Sequence, residues 1–307
     1  MMPNADPHFL PLTGLFEPSA IQQLADGRFL VVEDEKQRSL NVVSIRVGKD
    51  VKSNPLSPGW FQSSNPIWKL DDLEGLASDN LGYLYAVTSH SRTDDGDEKK
   101  ARGRLVRFRI EGDRVVAPVV VDGLKRALAT AHPLLAAAAR QENAKSDDGL
   151  NIEALEISQD RQRLLLGFRS PLQGRFAIIA TVENAQAMFE SEASPQVSNA
   201  LQLLDLGGQG IRGMAFVTSL NGYLLISGPA NRAQEAFGLW FWSGQPDASA
   251  RRVSVAGLPS FERAEGLCPA VIDGMPKIII VSDDGNRKEG RFAQFLMLEP
   301  EQLQIAP

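Results

Sequence analysis

The sequence has little cysteine, little histidine and no long apolar run, and each shortage excludes a class of protein. Its one cysteine, Cys268, cannot form an intramolecular disulfide, so we expect a reducing, cytoplasmic compartment. Three histidines are too few for a multi-histidine metal site. No apolar run approaches the ~18–20 residues that cross a bilayer. The first six residues contain neither a basic nor an apolar segment, so we expect no secretory signal.

Positive charge is also in short supply. The chain has 38 acidic against 32 basic residues, a formal net charge of −6. Nucleic acid and anionic lipid surfaces attract basic proteins, so we expect neither nucleic acid nor a membrane as a partner.

What the sequence does contain is a repeat. Five segments share a polar or acidic start, an apolar stretch, a turn and a run of β-branched and aliphatic residues. The segments begin at Glu17-Pro18-Ser19-Ala20, Leu73-Glu74-Gly75-Leu76, Ile152-Glu153-Ala154-Leu155, Ile211-Arg212-Gly213-Met214 and Ala264-Glu265-Gly266-Leu267. Each unit has room for four strands separated by turn residues. The spacing predicts an all-β, five-bladed β-propeller that occupies residues 1–307 as a single domain.

The two chain ends are predicted to share the last blade. The fifth unit runs out after Phe292–Leu298, which supplies only a third strand, and the missing outermost strand can come from Phe9–Leu15. Pro11 within that segment is tolerable at a sheet edge. One Ala- and Leu-rich segment, about 123–145, reads as a helical insertion that Pro133 breaks or starts. A shorter helix is expected over Ala185–Ser191.

Propeller geometry predicts where a site lies. Residues at the start of the first strand and at the end of the second strand of every blade converge at one mouth of the central channel. The first set comprises Glu17, Glu74, Glu153, Arg212 and Glu265. The second set includes His90, Arg92, Arg169 and Asp283. The helical insertion follows the last strand of blade 2, so we expect it to cover this mouth as a lid.

Four carboxylates around a narrow channel need compensation, because like charges within ~4–6 Å oppose ionisation. A hard cation such as Ca²⁺ could be held by Glu17, Glu74, Glu153 and Glu265. Alternatively, arginines could neutralise the ring by direct pairing. Both alternatives stay open at this stage.

The basic side chains suggest a ligand. Arg92, Arg169 and Arg212, with Asp283 nearby, are candidates to bind a small anionic molecule. His90 and Glu153 are the candidate catalytic residues, since a histidine titrates near neutral pH. A structural role for His90 is the competing interpretation. Cys268 falls in a first-strand position and is interpreted as a small core residue.

The ordered set of motifs resembles a bacterial family of unknown function, the domain of unknown function 3616. The motifs are Leu73-Glu74-Gly75-Leu76, Ser89-His90-Ser91-Arg92, Gly149-Leu150-Asn151-Ile152-Glu153, Gly167-Phe168-Arg169-Ser170-Pro171, Ile211-Arg212-Gly213 and Ser282-Asp283-Asp284-Gly285. Ala154 departs from the usual Glu-Gly pair, and Met214 departs in blade 4. The resemblance implies a propeller and these polar positions but no reaction.

The sequence is more distantly similar to phytase-like esterases and to calcium-activated nucleotidases. By analogy with the latter, Glu74, Glu153 and Glu265 would hold Ca²⁺ and the arginines would hold phosphate. A fold hosts many functions, so the analogy yields hypotheses only. The first is a hydrolase, metal-assisted, for phosphorylated or ester substrates. The alternative is a non-catalytic propeller that binds a ligand or a protein.

Overall fold

A computed structural model of the 307-residue chain defines the fold. The structure describes residues 7–34, 39–58, 65–79, 81–142, 148–230, 236–261 and 263–307. Within these ranges the chain forms five antiparallel sheets, and each sheet is one blade of a β-propeller. The predicted five-bladed, all-β architecture is confirmed.

The strands are numbered in chain order, and β1 (Leu10–Pro11) precedes the first blade. Blade 1 contains β2 (Pro18–Gln23), β3 (Phe29–Glu33), β4 (Leu40–Ser44) and β5 (Lys52–Pro55). Blade 2 contains β6 (Leu73–Ser78), β7 (Leu84–Thr88), β8 (Leu105–Glu111) and β9 (Arg114–Val121). Blade 3 contains β10 (Asn151–Ile157), β11 (Leu164–Ser170), β12 (Ala177–Val182) and β13 (Val197–Leu204).

Blade 4 contains β14 (Gly210–Val217), β15 (Gly222–Gly228), β16 (Gly238–Trp242) and β17 (Arg251–Val255). Blade 5 contains β18 (Ala264–Ile272), β19 (Met275–Ser282) and β20 (Gln294–Leu298). The last strand is β21 (Leu303–Ile305). The helices are α1 (Leu124–Ala131), α2 (Pro133–Arg140) and α3 (Ala185–Glu190). Short 3-10 turns lie at Pro66–Lys69, Lys100–Arg102, Thr218–Leu220, Arg287–Glu289 and Pro300–Gln302.

The ring is held together by one apolar cluster between each pair of neighbouring blades. Strands such as β3, β7 and β15 are buried along their whole length because a blade lies on each side of them. The five clusters join blades 1 and 2, 2 and 3, 3 and 4, 4 and 5, and 5 and 1. The first strands, β2, β6, β10, β14 and β18, contact one another around the centre in that cyclic order. The hydrophobic effect therefore closes the ring.

The chain ends complete two blades. β1 pairs antiparallel with β20, with Leu10 opposite Phe295, so the N-terminal strand completes blade 5 as predicted. The chain also continues past the expected end of blade 5: β21 pairs with β17, with Val253 opposite Ile305, and gives blade 4 a fifth strand. This strand was not expected, because three residues after a Pro300 turn are too short to show a period.

Cys268 is fully buried between blades 5 and 1, and burial raises the pKa of its thiol to about 12.

The predicted helical insertion forms a pair of short helices between blades 2 and 3. α1 and α2 meet at His132–Pro133, where a proline begins the second helix. Leu124, Leu128 and Leu135 of these helices are buried in the cluster between blades 2 and 3. Residues 143–145 of the predicted insertion lie outside the described residues. The predicted helix at Ala185–Ser191 corresponds to α3.

Candidate functional site

One β-bulge recurs in the first strand of every blade. The pairing between the first and second strands skips one residue near the start of β2, β6, β10, β14 and β18. The skipped residues are Ser19, Glu74, Glu153, Arg212 and Glu265. A bulged residue is left out of the hydrogen-bond ladder, and bulges commonly redirect a side chain. The bulge therefore distinguishes one residue per blade, and four of the five are charged.

The small residue after each bulge allows the first strands to approach closely. A Cβ atom on Gly213 would collide with the carbonyl oxygen of Glu265, and one on Gly266 would lie 2.6 Å from Cα of Ala20. Blade 3 has Ala154 instead of glycine, and its cross-strand partner is Gly167. A Cβ on Gly167 would lie 2.8 Å from the Cβ of Ala154. The methyl group of Ala154 therefore occupies the space that the glycine on the neighbouring strand leaves open. Close central packing explains the Glu-Gly motif and its variation.

Arg212 joins two of these bulges. Its Nε lies 2.9 Å from Oε2 of Glu153, and its Nη1 donates to Oε1 of the same carboxylate at 3.3 Å. Its Nη2 forms an ion pair with Glu265. Burial lowers the pKa of Arg212, and the Glu153 carboxylate opposes that shift. One guanidinium thus neutralises the central carboxylates of blades 3 and 5.

Glu153 is held by two further donors. Nη1 of Arg169 donates to its Oε1 at 3.2 Å, and Nδ2 of Asn151 donates to the same oxygen at 2.9 Å. Arg169 also donates from Nε to the carbonyl oxygen of Pro229 at 3.0 Å. With Arg212 included, three side chains fix a carboxylate that is only 4% exposed. The catalytic assignment of Glu153 stays a prediction, but these contacts favour a positioning role.

Of the two ways to compensate the ring, the described geometry favours arginine pairing. Within the described ranges, no group of three or more His, Cys, Asp or Glu side chains is arranged to hold a metal ion. Calcium binding by Glu17, Glu74, Glu153 and Glu265 stays a prediction. Two of these glutamates already face Arg212.

Glu74 is the central carboxyl without such compensation. Within the described part of the chain it accepts no hydrogen bond and forms no ion pair. Burial raises the pKa of Glu74 well above its ordinary value, and the negative charges of Glu153, Asp72 and Asp34 raise it further. Solvent reaches the side chain through the cavity that it lines. Burial and the neighbouring negative charges therefore favour the protonated form of Glu74, while the Arg212 charge opposes this.

The charged residues of blades 1, 2 and 3 meet in a cavity of about 320 Å³. Residues of the helical insertion form part of its wall, namely Lys125, Ala138, Ala139 and Gln141. Asp94 of the loop that precedes the Lys100–Arg102 turn also lines it. Both segments thus lie at the predicted mouth, while their action as a lid stays a prediction.

An acidic pair crosses the boundary between blades 1 and 2. Asp34 hydrogen-bonds Asp72, and burial followed by the Asp72 charge raises the pKa of Asp34 to about 8. Although solvent reaches Asp34 through the cavity, protein surrounds most of its carboxyl group. Asp72 faces donors: Arg102 lies 3.1 Å away, and Ser91 Oγ donates at 3.0 Å. The hydrogen bond to Asp72 favours the protonated form of Asp34, so Asp34 is its donor and the two carboxyl groups act as a unit.

His90 lines the same cavity in a fixed tautomer. Its Nδ1 lies 2.8 Å from the carbonyl oxygen of Thr88, which can only accept, so Nδ1 carries the hydrogen. Burial lowers the pKa of His90 to about 4, so the ring is neutral at physiological pH. Arg92, the neighbouring candidate, donates to the Gly96 carbonyl at 3.0 Å and lies 3.3 Å from Glu98. His90 and Arg92 are in the predicted place, while their roles stay predictions.

Four predicted site residues do not line the cavity. Arg212 and Glu265 lie in the central ion-pair network, as described above. Glu17 is exposed and precedes β2, and the bulged position of blade 1 is occupied by Ser19. Burial raises the pKa of Asp283, and the Arg212 charge opposes this. Of the predicted residues, the cavity itself gathers Glu74, Glu153, His90, Arg92 and Arg169.

Asp34, which directly follows β3, was expected at the mouth with the other residues that end a second strand, and it lines the cavity. Sequence reasoning missed several other residues of the lining: Asp72, Arg102, Lys125 and Asn151. Asp72 and Asn151 each precede a bulged glutamate by two residues. A polar residue at this spacing was the signal that could have found them. Lys125 carried no such signal, because its position depends on how the helices pack.

Fold and site together define a five-bladed β-propeller with a charged cavity at one channel mouth. Residues 122–293 match the family described as "Protein of unknown function (DUF3616)". The match spans more than half of the chain, and the chain belongs to this family. The resemblance noted from the motifs is confirmed.

Comparison with solved structures gives the fold alone. A Bombyx mori family 32 β-fructofuranosidase variant in complex with sucrose is 10% identical, with a TM-score of 0.50; the match covers 98% of this chain and 65% of that chain. A calcium structure of a Trichoderma reesei carbohydrate-active enzyme of family AA12 is 10% identical, covering 96% of each chain with a TM-score of 0.42. YCF48 from Cyanidioschyzon merolae is 14% identical, covering 98% of this chain and 70% of that chain with a TM-score of 0.38. No curated protein matches the chain. In the described residues no helix combines the length and apolarity needed to traverse a bilayer.

Proposed function

We propose that this protein binds a small organic anion in the helix-covered cavity and hydrolyses an ester bond by acid–base catalysis. The observation that carries the proposal is the meeting of differently protonated carboxyl groups beside an arginine in one cavity. Glu74 and Asp34 have raised pKa values, whereas Asp72 forms an ion pair with Arg102. Carboxyl groups whose environments separate their protonation states can serve as acid and base in one reaction.

The charge of the cavity suits an anion. Its lining contains four cationic side chains, Arg92, Arg102, Lys125 and Arg169, and five carboxyl groups, Asp34, Asp72, Glu74, Asp94 and Glu153. The raised pKa values of Asp34 and Glu74 favour their neutral forms, which reduces the negative charge that the four cations face. Arg169 uses Nη1 on Glu153 and Nε on the Pro229 carbonyl. As far as the described residues go, Nη2 of Arg169 is left for a ligand, and we assign it to the anionic group.

The hydrolytic step uses the two kinds of carboxyl group. A water molecule attacks the ester carbon while Asp72 accepts one of its protons. Glu74 gives its proton to the leaving oxygen as the bond between that oxygen and the ester carbon breaks. The products are an acid and an alcohol, and solvent returns the proton from Asp72 to Glu74. General acid catalysis of this kind contributes roughly 10²- to 10⁴-fold to a rate.

The test measures release of 4-nitrophenolate from an anionic aryl ester, 4-nitrophenyl hydrogen succinate, and from 4-nitrophenyl phosphate. We expect turnover of at least one substrate by the unchanged protein and a loss of roughly 100-fold or more in Glu74→Gln. Glu301→Gln is the matched control, because Glu301 is exposed and remote from the cavity. Equal rates in Glu74→Gln and the unchanged protein would contradict the assignment of Glu74.

A non-catalytic function is the alternative, and the same protein distinguishes it. Calorimetry with succinate measures binding separately from turnover. Binding without hydrolysis would identify a ligand-binding propeller, whereas neither binding nor hydrolysis would remove the site altogether. A protein-binding scaffold has less support: the large exposed apolar side chains of the described residues are distributed over blades 1, 2, 3 and 5.

A further inference from the structure

Asn151 offers the cavity an acceptor whose direction is fixed. Its Nδ2 donates to Oε1 of Glu153 at 2.9 Å. That carboxylate faces Arg169 and Arg212, so it is ionised and can only accept. The amide of Asn151 therefore cannot be reversed. Its Oδ1 is buried and accepts no hydrogen bond within the described part of the chain.

His90 offers a second acceptor of the same kind. Because Nδ1 carries the ring hydrogen and donates to Thr88, Nε2 holds a lone pair. Nε2 is buried and has no hydrogen-bond partner among the described residues. His90 as a whole is 2% exposed, so bulk water does not satisfy this atom.

Both residues line the cavity that contains Arg169. Buried polar groups in proteins are nearly always paired, and leaving one unpaired is destabilising. Two unpaired acceptors with fixed directions thus lie in the wall around one guanidinium. A matching ligand brings hydrogen-bond donors to the acceptors and an anionic acceptor to the guanidinium.

We infer that the ligand is a small hydroxylated carboxylic acid, or the ester that contains one: its carboxylate pairs with Arg169 and its hydroxyl groups donate to Asn151 Oδ1 and His90 Nε2. This inference rests on the proposed function, because it names the ligand class of the same cavity. A hydroxyl group fits both acceptors because it can rotate to donate. A plain carboxylate offers no donor and leaves both acceptors unpaired.

The test is a series of three carboxylates that differ only in hydroxyl number: propanoate, lactate and glycerate. Dissociation constants are measured by isothermal titration calorimetry on the full chain at one pH and salt concentration. We expect each hydroxyl group to tighten binding by about 3- to 10-fold, since a hydrogen bond contributes roughly 0.5–1.5 kcal/mol. The gain attributable to hydroxyl groups should shrink in His90→Phe and in Asn151→Leu.

His132→Phe is the control for the histidine variant. His132 is also buried and bonds the Ser198 carbonyl at 2.8 Å, but it does not line the cavity. If the three acids bind equally to the unchanged protein, the inferred ligand class is wrong while anion binding stands. If none binds and no ester is hydrolysed, the proposed function fails as well. The ligand series needs no variant, so a misfolded variant does not prevent a decision.

Discussion

Arg212 of blade 4 places its Nε 2.9 Å from Oε2 of Glu153 in blade 3, so a single buried ion pair links two blades at the centre of the ring. The same guanidinium also pairs with Glu265 of blade 5. Ion pairs of one guanidinium thus connect three neighbouring blades. The propeller centre is a polar network, whereas apolar clusters join the blades around it.

Removing the Arg212 guanidinium should lower the free energy of unfolding. In Arg212→Met, the carboxylates of Glu153 and Glu265 lose their shared partner, and removing one member of a buried pair costs about 3–5 kcal/mol. We expect the urea midpoint to fall accordingly. The matched control is Arg175→Met, because Arg175 pairs with Asp205 on the surface. A decrease no larger than that of the control would show that the network does not stabilise the ring.

The close approach of the first strands predicts a second sensitive position. Gly213→Ala places a methyl group against the carbonyl oxygen of Glu265, so the strands must separate. We expect a loss of roughly 1–3 kcal/mol in the free energy of unfolding, as for other overpacked cores. Gly103→Ala is the control, since the nearest atom to its added methyl is 3.9 Å away. Equal stability of the two variants would contradict the packing argument.

Glu156 makes stability depend on pH. It accepts from Phe216 N of the next blade at 2.8 Å, and burial raises its pKa to about 7 from an ordinary 4.5. Between these values the folded protein keeps a proton that the unfolded chain releases, so stability falls as pH rises. The difference corresponds to roughly 3 kcal/mol. Urea unfolding at pH 5 and pH 8 should show this loss, and Glu156→Gln should reduce it, whereas Glu301→Gln should not.

His90 acts in the opposite sense and in a lower range. Its pKa falls from an ordinary 6.5 to about 4, so the unfolded chain binds a proton there that the folded protein does not. Stability that depends on His90 is therefore lost as pH falls from 6.5 towards 4. This is why the comparison for Glu156 is made against the Gln variant rather than from a single pH curve.

Anion affinity should weaken as the cavity gains negative charge. Asp34 ionises around pH 8, so the affinity for lactate should decrease between pH 6.5 and pH 9. A negative charge gained within the same cavity should weaken anion affinity on the order of tenfold. Asp34→Asn keeps the group neutral and should flatten the dependence. An unchanged slope in this variant, measured by calorimetry, would remove Asp34 from the explanation.

The two ways of compensating the channel carboxylates give different responses to chelation. Because Arg212 already pairs with Glu153 and Glu265, we expect EDTA and added Ca²⁺ to leave the thermal midpoint unchanged. Binding of calcium to the folded state would instead raise it by mass action. A calcium-dependent increase that disappears in Glu74→Gln would support the metal alternative.

Much of the fold could be predicted because each blade repeats the same physical pattern. The fourth repeat, for instance, is expected to begin at Ile211, and β14 begins one residue earlier, at Gly210. The apolar runs and turn residues of the repeats are local signals. β21 has no such signal, since it becomes a strand only by pairing with β17.

Topology predicts which side chains converge but not how they pair. Residues at the ends of the first and second strands are expected at one channel mouth, and Glu74, Glu153, His90 and Arg169 line one cavity. That this cavity is a functional site stays a prediction. Pairing is a different matter, because it depends on distances between blades. That Arg212 pairs directly with two carboxylates, while its charge acts on Glu74 only through space, cannot be read from spacing.

The recurring bulge has a consequence for how such a molecule can change. A residue outside the ladder contributes nothing to strand registration, so Ser19, Glu74 and Arg212 can occupy equivalent places without altering the sheets. Mutation of a bulged residue outside the Arg212 network, such as Glu74, would therefore alter the cavity lining and leave the strand pairing intact. New specificities could thus evolve at such a position without a change in the sheets.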